Sequence, residues 1–239
     1  MATYVLVHGG GHGGWCYQRV ARLLRRAGHD VYTPTLSGLA DRAHVLGPGI
    51  GLHTHIDDVA ELINHEDLRE VILVGHSYGG MVVTGAADRT HDRIGKLVYL
   101  DAATPANGQS LVDVAGPYIE AVRPLGAVVD GVELVLQPGA DAGMLYGITD
   151  PDDLRWMAER LTAHPWRCFE EPLDLRNEDE LWAIPQFHIV CTVTLATRDP
   201  ELIAKARAAG RLWDIDTGHD LMITEPQAVT DCLLEVATA

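Results

Sequence analysis

Val71-Ile72-Leu73-Val74-Gly75-His76-Ser77-Tyr78-Gly79-Gly80 is the stretch on which the reading of this chain turns. Its first residues, apolar and rich in β-branching, predict a fully buried strand over 71–74. Met81-Val82-Val83-Thr84-Gly85-Ala86-Ala87 then continues as a helix, so that a helix is predicted over 77–88. Ser77 stands at the turn between them, with Gly75 two residues before it and Gly79 two after. A serine on a sharp strand-to-helix turn needs small residues at those places, because the strained backbone packs closely on its neighbours. The helix that follows would aim its unpaired N–H groups and the positive end of its dipole at a developing oxyanion. The chain has three serines, and neither Ser37 nor Ser110 has such a setting. Ser77 is therefore the candidate nucleophile.

Outward from this turn, β-branched runs alternate with helix-period stretches. Strands are predicted over 4–8, 30–33 and 97–101, with helices over 15–27 and 56–64; the rhythm resumes with strands over 187–193 and 212–215 and helices over 201–209 and 226–236. Pro226 suits a first helical turn. Such alternation predicts an α/β fold, a mostly parallel central sheet of about six strands with helices on both faces. Between Thr104 and Pro185 the rhythm breaks. A hairpin is predicted at Asp130-Gly131, a helix from Asp150-Pro151, and Tyr118, Tyr146, Trp156, Trp166 and Phe169 accumulate there. Residues 1–103 and 186–239 are read as the core and 104–185 as an inserted cap over a site, since long insertions in compact domains are usually functional.

The chain of 239 residues carries 18 Lys and Arg against 34 Asp and Glu, a net charge of −16. An acidic surface repels phosphate backbones and anionic lipid heads, and Arg22, Arg25 and Arg26 are the one basic cluster, so neither nucleic acid nor membrane is an expected partner. The longest apolar runs, at 71–74 and 189–193, are strand-sized, far short of the ~20 residues of a membrane span. Met1-Ala2-Thr3 leads directly into the first strand with no charged n-region or cleavage site, and Cys16, Cys168, Cys191 and Cys232 form no CxxC pair. The expectation is a cytoplasmic protein with unpaired thiols. A small-molecule substrate is the expected partner, with a homodimer left open.

After the first strand, His8-Gly9-Gly10-Gly11-His12-Gly13-Gly14-Trp15 forms a loop whose backbone can approach a ligand unobstructed. Acyl transfer needs two backbone donors aimed at the oxyanion, and the N–H groups of Gly10 and Tyr78 are nominated. A phosphate-cradling loop is the rival, but the GK[ST] ending is missing. Among twelve histidines, His219 follows a strand end and a glycine in Asp216-Thr217-Gly218-His219 and precedes the last helix, where a base can reach Ser77. Gly9, His12, Tyr118, Tyr146 and Trp156 are expected to contact the substrate. His53-Thr54-His55-Ile56-Asp57-Asp58 resembles the start of a metal-binding set, yet Asp58 stands where such a set continues with histidine. Thr54 is read instead as a helix cap with Asp57 and Asp58 in the first turn, and neither metal nor cofactor is expected.

Taken together, Val5-Leu6-Val7-His8-Gly9, His12-Gly13-Gly14-Trp15, Ala27-Gly28-His29-Asp30-Val31, the serine turn and Gly218-His219 resemble the α/β-hydrolase superfamily. The likeness is closest to its compact branch of plant methyl-ester esterases, hydroxynitrile lyases and their bacterial relatives. It spans nearly the whole chain and matches only loosely between Thr104 and Pro185. In that branch the triad acid usually follows the strand at 187–193, a few residues past a Cys-Thr pair; here Cys191-Thr192-Val193-Thr194-Leu195 carries no carboxylate. Related hydrolases and dehalogenases place the acid at the end of the preceding strand, where this chain has Asp101, which is chosen with Asp199 and Asp216 in reserve. The lyases carry a lysine where this chain has Asp220 and a hydroxyl where it has Gly9, and both differences speak against cyanohydrin cleavage. Asp220 could act on His219, on a polar substrate group, or face water. The resemblance implies a serine hydrolase cleaving an ester or lactone of a small, mostly apolar substrate through an acyl-enzyme. The alternatives are a lyase or C–C bond hydrolase on the same residues, or a non-catalytic small-molecule-binding homologue.

Overall fold

A computed structural model describes residues 1–136 and 142–239 of the chain. Six strands form one parallel sheet: β1 (Thr3–Val7), β2 (Asp30–Tyr32), β3 (Val71–His76), β4 (Ile94–Leu100), β8 (Gln186–Cys191) and β9 (Leu212–Ile215). Their order is β2-β1-β3-β4-β8-β9, with Val7 beside Gly75, His76 beside Leu100 and Cys191 beside Ile215. Between β4 and β8, strands β5 (Ala127–Val129), β6 (Val132–Val135) and β7 (His164–Pro165) make a separate antiparallel sheet. The α/β prediction with a sheet of about six strands therefore describes the molecule.

Alternation along the strands divides the core. Val5, Val7, Val71, Leu73, Leu97 and Tyr99 face α2 (Leu52–His65) and α3 (Gly79–Arg89), which follow α1 (Gln18–Arg26) in the chain. Tyr4, Leu6, Ile72, Val74, Val98 and Leu100 face α1 and the closing helix Pro226–Thr238. Strands covered on both faces read as continuous apolar runs, which is why all six residues of β3 are buried. The inserted residues join both clusters: Trp166, Phe169 and Leu173 pack into the first, and Tyr146, Met157 and Leu161 into the second. Among the described residues no helix is long and apolar enough to cross a membrane, and all four cysteines are unpaired.

Several local expectations match and three differ. Asp130 (φ 50°) and Gly131 (φ 79°) make the two-residue hairpin turn whose twist suits β5 and β6, and Asp150 caps helix Pro151–Ala158 by accepting the N–H groups of Asp152 and Asp153. The helix after Ser77 begins at Gly79, because Ser77 itself has φ +54°. The cap of α2 is Gly51; Thr54 lies inside the first turn and its hydroxyl accepts the Gly51 N–H at 3.4 Å. The strand expected over 187–193 stops at Cys191, and Thr192–Leu195 turns as a short helix that carries Thr194 back toward the end of β4. Ligands in open α/β sheets bind outside the carboxyl ends of the strands where strand order reverses, here between β1 and β3.

Candidate active site

Everything of chemical interest follows a strand end. The turn after β3 is pinned by its own backbone: the Ser77 carbonyl accepts the N–H groups of Gly80 and Ala103, each at 3.0 Å, and the Ser77 N–H donates to Leu100 at 3.4 Å. These bonds hold a non-glycine residue in the left-handed region, a strain that clusters at functional sites. The glycine loop after β1 lies directly on this turn. A methyl group on Gly9 would stand 2.8 Å from Ser77 Cβ, and one on Gly79 would stand 2.8 Å from the carbonyl oxygens of Val7 and His8. Among the described residues, the amides of Gly10 and Tyr78 have no hydrogen-bond partner. The Tyr78 ring is buried and its hydroxyl donates to His55 Nδ1 at 2.9 Å.

Asp101 follows β4 as Ser77 follows β3, and it too has a left-handed φ, +45°. His219 reaches it from the loop after β9, Nδ1–H donating to Asp101 Oδ2 at 2.5 Å. The other carboxylate oxygen accepts the Thr194 hydroxyl at 2.5 Å, Arg198 Nη2 at 2.6 Å and the Cys191 N–H at 3.3 Å. Burial alone would push this carboxyl up, but the His219 bond, the Arg198 charge and the Thr194 hydroxyl hold it well below the usual carboxylate range. Asp101 therefore stabilises the fold at neutral pH, and this contribution is lost as pH falls through its depressed value. Asp199 and Asp216 are exposed. Asp199 caps helix Pro200–Ala208, and Asp216 accepts the Thr192 hydroxyl at 2.9 Å.

Arg198 shares the charge of Asp101 that would otherwise act on the His219 ring alone. Replacing it as Arg198→Gln should remove one of the charges that hold the Asp101 carboxyl low, so the part of the fold's stability that acid removes through Asp101 should shrink. Thermal melts of the parent protein and the variant from neutral pH into acid read this directly; an unchanged acid dependence would remove Arg198 from the account.

The residues expected to contact a substrate separate into different roles. Gly9 lies against Ser77, as above. Tyr118 is 59% exposed, its hydroxyl donating to the Leu145 carbonyl at 3.4 Å. His12 differs from the expectation: it is fully buried, with Nδ1 bonded to the Gly10 carbonyl at 2.8 Å and Nε2 to Asp220 Oδ2 at 2.9 Å, so neither nitrogen is left for a ligand. Tyr146 is buried and gives its hydroxyl to the Gly10 carbonyl at 3.1 Å. Trp156 is taken up elsewhere, edge-on to Trp15 and 5.1 Å from each of the Arg19 and Arg160 guanidinium carbons.

Asp220, Thr194 and Arg198 were not among the nominated residues, although an acid directly after the presumed base was a signal. Asp220 is fully buried rather than facing water or a substrate. Of the other motif, Asp57 pairs with Arg89, while Asp58 accepts the Ser37 N–H and hydroxyl and pairs with Arg42. His55 does meet His164 and Cys168, their ligand atoms all lying within 4.8 Å. The lone pairs of both imidazoles are already committed: His55 Nδ1 accepts from Tyr78 while its Nε2–H donates to Ser37, and His164 Nδ1 accepts the Gly11 N–H.

A parallel sheet of this order, with a strained serine after one strand and a carboxylate–histidine pair across the next, defines an α/β-hydrolase. Residues 4–231 match the profile of the alpha/beta hydrolase family, and the chain belongs to that family. Its relatives include the carbendazim hydrolyzing esterase of Nocardioides sp. (strain SG-4G), 37% identical over 98% of each chain. Salicylic acid-binding protein 2 of Nicotiana tabacum is 28% identical over 98% of this chain and 96% of its own. Among solved structures, polyneuridine aldehyde esterase shares the fold with a TM-score of 0.79 at 19% identity, covering 99% of this chain and 100% of that one. The chain falls in the esterase branch of the family.

Proposed function

We propose that Ser77, His219 and Asp101 act as a catalytic triad that hydrolyses a carboxylic ester or lactone of a small, mostly apolar substrate through an acyl-enzyme. The observation that carries this reading is the His219–Asp101 hydrogen bond at the same sheet edge as the left-handed Ser77. With Nδ1–H held by Asp101, the lone pair of His219 is on Nε2, the nitrogen that must take the Ser77 proton. Ser77 Oγ then attacks the carbonyl, and the amides of Gly10 and Tyr78 hold the oxyanion. Collapse breaks the ester bond as His219 returns the proton to the leaving alcohol. A water deprotonated by the same ring attacks the acyl-enzyme and releases the acid.

Residues 104–185 would act as a cap. Leu136 and Phe169, which a methyl on Gly10 would meet at 2.7 and 3.2 Å, give that side of the site an apolar wall. Cyanohydrin cleavage is disfavoured because Gly9 offers no hydroxyl and Asp220 is locked in an ion pair with His12. The test is intact-mass analysis after treatment with a fluorophosphonate, beside turnover of a short-chain aryl ester, methyl esters and carbendazim. One adduct per chain on the parent protein, absent from Ser77→Ala along with aryl-ester turnover, is expected; a folded parent protein that takes no adduct would sink the proposal.

A further inference from the structure

Three consecutive glycines, Gly9-Gly10-Gly11, have no side chains with which to fix their own backbone, yet an oxyanion donor is useful only if its direction is set before the reaction. The loop is fixed from outside. The Gly9 carbonyl accepts His8 Nδ1–H at 2.9 Å, and the Gly11 N–H donates to His164 Nδ1 at 3.2 Å. The Gly10 carbonyl between them accepts two donors, His12 Nδ1–H and the Tyr146 hydroxyl. His12 is unlike the other buried imidazoles. Burial pushes His8 and His76 down to about 3 and His55 to about 4, which keeps them neutral. Both nitrogens of His12 face acceptors, so both carry protons; burial opposes the charge, but the Asp220 carboxylate outweighs it and raises the pKa.

Asp220 is the residue after His219, and its N–H donates to the Tyr146 carbonyl at 3.0 Å. His76 Nε2–H holds the His219 carbonyl at 2.9 Å from the other side. At Gly147 and Gly218 the two backbones touch, a methyl on Gly147 standing 2.7 Å from Gly218 Cα. The glycine loop, the loop carrying His219 and the inserted residues 146–147 thus meet at one buried ion pair that none of the triad chemistry uses.

We propose that His12, Asp220 and Tyr146 form a positioning clamp: the charged His12–Asp220 pair and the Tyr146 hydroxyl hold the Gly10 carbonyl so that the Gly10 amide and the His219 ring are registered on the same reacting carbon. The inference rests on the esterase reading and deepens it. The clamp touches no substrate; it acts through Gly10 and His219. A charge-assisted hydrogen bond to the Gly10 carbonyl is stronger than a neutral one, and with Asp220→Asn a neutral His12 can keep Nδ1–H on Gly10 while its bare Nε2 accepts from the asparagine NH₂, so the charge is lost and no buried ion is left unpaired.

The test compares the parent protein, Asp220→Asn, Tyr146→Phe and the double variant. Each is assayed for kcat and KM on an aryl ester and for inhibition by an aryl trifluoromethyl ketone, whose adduct with Ser77 carries the oxyanion. For Asp220→Asn, kcat and ketone affinity should fall together by about 10–100-fold, the scale of a misplaced donor, with KM changed less than about twofold. Tyr146→Phe should show the same pattern more weakly, and it decides the matter if Asp220→Asn does not fold. Folded variants that keep kcat and ketone affinity within about twofold of a fluorophosphonate-reactive parent, or that lose only Tm, overturn the clamp and leave the esterase reading standing. A folded parent protein that takes no fluorophosphonate overturns both.

Discussion

Asp101→Asn is expected to lower kcat by roughly 10³–10⁴-fold while the protein stays folded. The direction follows from donors alone. One carboxylate oxygen of Asp101 is surrounded by the Thr194 hydroxyl, Arg198 and the Cys191 N–H, all of which give protons. An asparagine must therefore turn its carbonyl oxygen to that side and its NH₂ toward His219. Facing a donor, Nδ1 becomes the acceptor, the ring proton moves to Nε2, and the nitrogen that should take the Ser77 proton is occupied. Asp199→Asn and Asp216→Asn should leave kcat within about twofold, since surface substitutions away from the machinery act weakly. Steady-state rates of the three variants, with circular dichroism as the folding control, make the comparison; an active Asp101→Asn would remove Asp101 from the triad.

Gly80→Ala should damage stability and activity together. A methyl there would overlap the Ala103 carbonyl oxygen and stand 3.0 Å from Ala102 Cβ. The obstacle is backbone, which cannot swing aside like the end of a flexible side chain, so either the first turn of α3 or the 101–103 segment must move. Overpacking of this kind costs about 1–3 kcal/mol and occasionally more. For a chain of this size that corresponds to a Tm lowered by roughly 2–12 °C. The moving segments carry Ser77 on one side and Asp101 on the other, and Ala103 N–H holds the Ser77 carbonyl. A displacement of ~1 Å between reacting groups costs on the order of 10²-fold in rate. Calorimetry with aryl-ester kinetics on the folded fraction measures both; a variant with unchanged Tm would mean that the turn is looser than its packing indicates.

The features visible in the sequence were those written in neighbouring residues. β-branched apolar runs marked the strands, the Gly75–Gly79 spacing marked the serine turn, and Asp130-Gly131 marked the hairpin. What escaped was set by distant pairing. Nothing local to His12 says that its partner is Asp220, more than two hundred residues on, and an aromatic such as Trp156 looks equally fit for a substrate wall or for a place between two arginines. The missing carboxylate after Cys191 was legible, and so was Asp101 as the residue to consider. Thr194 and Arg198 as its supports were not, because the strand ends two residues earlier than its apolar pattern suggests and the chain doubles back. Thr54 failed as a cap for a related reason: Gly51 begins the helix earlier, and glycine leaves no side-chain signature of a cap.

The proposed cap is tied into the glycine loop. Tyr146 holds the Gly10 carbonyl, Thr162 N–H holds the Gly11 carbonyl at 2.9 Å, His164 holds the Gly11 N–H, and Gly147 abuts the backbone ahead of His219. Such a segment is not an exchangeable module. On the proposed reading, a chimaera in which a relative's insertion replaces this one would inherit a new substrate preference only together with a re-aimed glycine loop. Its loss of turnover would fall on every substrate alike, including esters too small to reach the transplanted wall. On that reading, recombination or directed evolution of specificity in this chain would proceed by point changes that leave residues 146–147 and 162–164 and their bonds to the glycine loop in place.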